Sequence, residues 1–99
     1  MTTYAYVPDL MDRSKVTAAR PEVVVVRRLD DLVPAGGDTV LVDLSRPGVV
    51  DALPGLVARG ARVIGFGSHV DRERLDAARA TGAEVMARSA FFGTLSSGG

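Results

Sequence analysis

Two aspartates and two polar loops hold the residues with chemical potential in this chain. Asp43 closes the apolar run of "TVLVDLSRPG" (39–48), with Pro47 and Gly48 just behind it, and Asp9 ends "TYAYVPD" (3–9). "VIGFGSHVD" (63–71) supplies glycines, Ser68 and His69, and "MARSAFFG" (86–93) supplies Arg88 and Ser89. Carboxylates at neighbouring strand ends are hard oxygen ligands, which makes Asp9 and Asp43 a candidate Mg²⁺ pair. Glycines ahead of a helix N-terminus form a candidate anion or switch loop, with Gly67, Ser68, Arg88 and Ser89 around it. Each feature also has a structural reading. A strand-end aspartate caps the next turn through its own side chain. Asp9 caps the first helix, with Asp12 the alternative acid there, and Ser68 caps a later helix. The glycine loop has neither Walker spacing nor the G-x-G-x-x-G pattern.

Composition removes several classes of function. The 99 residues make one domain, in which nearly every apolar segment shares one core. Twelve basic groups balance 12 acidic ones, so no net field attracts nucleic acid or an anionic membrane. There is no cysteine, and the one histidine excludes a multi-histidine metal cluster. No apolar run approaches the ~20 residues of a membrane helix. The start lacks a basic segment followed by an apolar one, so a cytoplasmic location is expected.

The residues of interest are positioned by five short apolar runs: 3–7, 22–26, 39–44, 61–66 and a weaker 83–87. Most are continuously apolar rather than alternating, as parallel strands covered on both faces require. Between them lie segments of helical character over roughly 10–19, 28–33, 48–58 and 71–81, boundaries good to a few residues. Ser68 and Asp71 have capping-box spacing before the last of these, and Gly82 offers a stop tolerant of positive φ. Pro54 leaves two readings of 48–58: a kinked helix, or one that begins near the proline. The βαβαβαβαβ alternation predicts a doubly wound five-stranded parallel sheet in order 2-1-3-4-5. Residues 1–95 form the domain and 96–99 a flexible tail. Function then gathers in the loops beyond the strands' carboxyl ends.

Over about residues 3–92 the chain resembles the receiver domain of bacterial response regulators. "LVDLSRPG" is similar to the segment around that family's acceptor aspartate. "RERLDAARATGAEVMARSAF" resembles its fourth helix and fifth strand, and "VPDL" the acidic end of its first strand. The resemblance implies a flavodoxin-like fold in which Asp43 is the phosphoacceptor and Asp9 a Mg²⁺ ligand. The departures are as informative. Pro8 replaces the first acid, Gly67 the hydroxyl residue (Ser68 is adjacent), and Ser89 the lysine, with Arg88 beside it. Lys15 is the only lysine, so no shift of alignment restores one after strand five. Successive strand residues point to opposite faces, so Arg88 is expected to be misdirected.

These observations imply a stand-alone, degenerate receiver-like signalling module that acts by protein contact and is not an enzyme. One alternative is a working phosphoacceptor using Asp43 and Mg²⁺; another is a small-molecule or anion binder at the 65–69 loop. The segment after residue 90 reads as too short for a regular fifth helix, which is expected to be short or absent. Phe91, Phe92 and Leu95 are then expected at the surface, as the interface of a homodimer or of a protein partner.

Overall fold

The computed structural model describes residues 1–96, so the expected tail lies outside the described residues apart from Ser96, which ends the last helix. The elements run β1 (Thr3–Tyr6), α1 (Leu10–Ala19), β2 (Val24–Val25), a 3₁₀ turn (Leu29–Asp31), β3 (Thr39–Asp43), α2 (Val49–Ala58), β4 (Arg62–Gly67), α3 (Arg72–Arg79), β5 (Glu84–Ala87) and α4 (Arg88–Ser96). All strand pairs are parallel, in the order β2-β1-β3-β4-β5. The fold is the expected flavodoxin-like α/β sheet.

The period-2 geometry of β3 explains the two-sided core. Val40 and Val42 join Leu53 and Leu56 of α2 and Leu75 and Ala78 of α3 on one face. Leu41 joins Val16 of α1 and Phe91 and Leu95 of α4 on the other. Both faces are buried, which is why β3 is apolar throughout Val40–Val42, between Thr39 and Asp43.

α2 runs unbroken across Pro54. An interior proline costs about 3 kcal/mol, whereas burying Val49, Leu53 and Leu56 returns roughly 1.5–3 kcal/mol each. Packing therefore outweighs the lost amide, and Pro54 sits on the exposed side. Gly48 precedes the helix at φ 81°, a backbone state few other residues adopt. In α3 the cap is Asp71, whose carboxylate accepts from Arg74 N at 3.4 Å. Ser68 is not the cap; it is exposed, and its hydroxyl accepts from Val70 N at 3.4 Å.

Three expectations are corrected. The segment 28–33 forms only the 3₁₀ turn, because the buried Pro34 stops the helix and Asp38 ties the connection down. The Asp38 carboxylate accepts from Ala35 N and Thr2 N, both at 2.9 Å. The C-terminal helix is short, as expected, but it begins at Arg88 rather than after residue 90. It carries Phe91 (3% exposed) and Leu95 (7%) into the core, with Phe92 half-buried beside them. Phe91 stacks on Phe66 at 4.5 Å between ring centroids. These side chains are therefore not an exposed interface. On the opposite face only the 3₁₀ turn follows β2, and Tyr4, Tyr6, Val26 and Leu29 are partly buried there.

Candidate functional site at the carboxyl ends of the strands

Asp43 ends the central strand and is 3% exposed. Its Oδ1 accepts from Ser45 N at 2.9 Å and from Ser45 Oγ at 2.6 Å, an Asx-type turn that the Asp–Leu–Ser order makes locally available. Its Oδ2 lies 3.6 Å from Arg46 Nε, an ion pair too long for a hydrogen bond. That Nε is buried without a hydrogen-bond partner among the described residues. The capping role expected for a strand-end aspartate is thus seen directly.

Asp9 is exposed and caps α1, its Oδ1 accepting from Asp12 N at 3.0 Å. Asp12, by contrast, is buried, 5% exposed on the same helical stripe as Val16. Arg88 reaches it from the start of α4. Nη1 donates to Asp12 Oδ2 at 2.9 Å and Nη2 to Oδ1 at 2.7 Å, a two-pronged fork. The guanidinium also lies 5.5 Å from the centroid of Phe66 and 5.4 Å from that of Phe92, within cation–π range. The hydrogen bonds from Arg88 outweigh burial and hold the Asp12 carboxyl below its ordinary value, with the charges of Arg88, Lys15 and Arg46 acting the same way. Arg88 is raised above its own ordinary value, first by the bond to Asp12 and then by the charges of Asp12, Asp43 and Asp9, against its burial. The fold therefore gathers three carboxylates and two guanidiniums at one end of the sheet.

This geometry corrects several expectations. Arg88 is directed inward, and Ser89 is the exposed residue. The alternation rule fails there because β5 ends at Ala87 and Arg88 already belongs to α4. Gly67 is the last residue of β4, paired with Ala87, and not part of a loop. The glycines of "GFG" make room for packing. A Cβ on Gly65 would lie 2.5 Å from Leu44 Cδ2, and one on Gly67 would lie 3.1 Å from Leu75 Cδ2. Only Ser68 and His69, both exposed, remain of the supposed anion loop.

The residues present do not fit Mg²⁺. Asp9 is engaged as a helix cap, Asp12 is held by Arg88, and Oδ1 of Asp43 is taken by Ser45. Among the described residues no group of three or more acids or histidines is arranged to hold a metal ion. Guanidinium groups supply the positive charge here, and the carboxylates have protein partners. Asp12 was legible only as a secondary candidate. Its spacing of four from Val16, on the face that packs against the sheet, was the available signal. The chain matches no family model, no curated protein and no solved structure.

Proposed function

We propose that this chain is a degenerate receiver-like module that works through protein contact and not through phosphoryl transfer. The observation that carries the proposal is the Asp12–Arg88 fork, which closes the acidic end of the sheet with a permanent internal cation. Phosphoryl transfer needs positive charge preorganised toward the phosphoryl oxygens and an accessible nucleophilic oxygen. Asp43 is nearly sealed from solvent, and its Oδ1 already accepts two hydrogen bonds.

The contact surface in this proposal is the rim of the same end. Leu10 and Met11 begin α1, and Val70 follows β4; all three are largely exposed. Apolar side chains bordering a charged cluster give a partner an apolar anchor and a polar register. Self-association through this rim is the homodimeric form of the proposal.

Two measurements test it. Incubation with acetyl phosphate and Mg²⁺ should leave the intact mass unchanged at neutral pH. An adduct that disappears in Asp43→Asn overturns the proposal in favour of a working acceptor. Capture of native partners should survive Asp43→Asn and fail in the Leu10→Ser, Met11→Ser double variant. Capture indifferent to the rim would remove it as the contact surface.

A further inference from the structure

A cavity of about 370 Å³ opens on the α1/α4 face at the amino ends of the strands, where Thr3, Thr39 and Arg62 begin β1, β3 and β4. It lies at the end of the sheet opposite Asp43. Its floor is apolar, made by Leu41, Ile64 and Met86 from three adjacent strands, with Phe91 and Leu95 of α4 as a wall. One lining guanidinium, Arg62, is committed to Glu84 through bonds of 2.6 and 2.9 Å. The other, Arg20, follows α1. It donates to the Ala19 carbonyl at 3.1 Å and makes no ion pair among the described residues. The cavity therefore combines an apolar floor with one guanidinium that has no ion-pair partner among the described residues. Its size falls within the range of small-molecule sites, about 300–1,000 Å³, and an apolar lining with a few polar groups is their usual composition.

We infer that this cavity binds a small monoanion with an unbranched apolar body, in the class of medium-chain carboxylates. The apolar chain lies on Leu41, Ile64 and Met86, and the carboxylate meets the planar donors of Arg20. The inference is independent of the reading of the carboxyl-end cluster, because none of its residues lines this cavity.

Methyl carbon-13 NMR on the full chain, labelled at methionine and isoleucine, tests it. Met86 and Ile64, the only isoleucine, report the cavity, and the exposed Met11 at the other end serves as internal reference. Octanoate should give saturable shifts at Met86 and Ile64 and leave Met11 in place. Arg20→Gln should weaken octanoate binding roughly tenfold, the loss of one charge-assisted contact. Arg20→Lys should fall between the parent and Arg20→Gln, since it keeps the charge and loses the planar fork, and 1-octanol binding should be indifferent to both changes. The inference is overturned by an absence of saturable shifts below the micelle concentration. It is equally overturned if Arg20→Gln binds octanoate within twofold of the parent. Cavity shifts that follow protein concentration without octanoate also overturn it, since a second copy then fills the groove.

Discussion

Arg88 and Asp12 show how a residue out of reach of local sequence rules becomes the centre of a site. The fork joins residues 76 positions apart, and it places a carboxylate in the core only because a guanidinium accompanies it. Removing one partner of such a pair leaves the other desolvated without compensation. Arg88→Met is therefore expected to destabilise the fold by about 2 kcal/mol, below the fully buried case because the arginine side chain is 43% exposed. Urea unfolding measures this, and the Asp12→Leu, Arg88→Met double variant should recover most of the loss. The pair also sets a pH dependence. Because the folded-state pKa of Asp12 is depressed, its contribution is present above the unfolded carboxyl value of about 3.9 and is lost as pH falls through the lower folded value. Asp38, lowered by the backbone bonds from Thr2 and Ala35, acts in the same direction. Stability should thus decline on acidification below about pH 4. In Arg88→Met the Asp12 contribution should reverse, because a buried unpaired carboxyl is easier to accommodate protonated; unfolding midpoints across pH 3–7 distinguish the two curves.

At the scale of elements, β4 and α4 are decided by packing more than by propensity. β4 carries two glycines, which weaken strands in general, and it still holds an interior place in the sheet, where Leu44 and Leu75 occupy the space those glycines' side chains would take. Gly65→Ala should cost about 1–3 kcal/mol as an overpacked core, and Leu44→Ala in the same chain should relieve part of that cost. Thermal unfolding of the two single variants and the double variant gives the coupling directly. α4 has little amphipathic periodicity of its own, but it places Phe91 against Phe66 and Leu95 in the same cluster. Phe91→Ser should therefore act on the monomer's stability, lowering it by about 3 kcal/mol or more, as truncation of a buried aromatic does. Urea unfolding alongside light scattering checks this. A loss of self-association with unchanged stability would restore the interface reading.

For the whole molecule, the sheet order and the end at which charge collects were legible in the sequence. Five apolar runs with helical spacers and balanced charge leave few compact arrangements. Asp43's turn was also readable, since Asp43, Ser45 and Arg46 are neighbours in the chain and their bonds need no distant partner. Capping of α1 by Asp9 is local for the same reason. The tertiary structure alone decided that Asp12 is buried while Asp9 is exposed, and that Arg88 is the side chain that follows strand five into the site. Arg88 is directed inward because β5 ends one residue earlier than the alternation rule assumes. Phe91 and Leu95 are buried because Val16 and Leu41, from two other elements, complete their pocket. Propensity and capping act over a few residues and are written in the chain's local order. Burial and ion pairing depend on neighbours that only the closed sheet brings together.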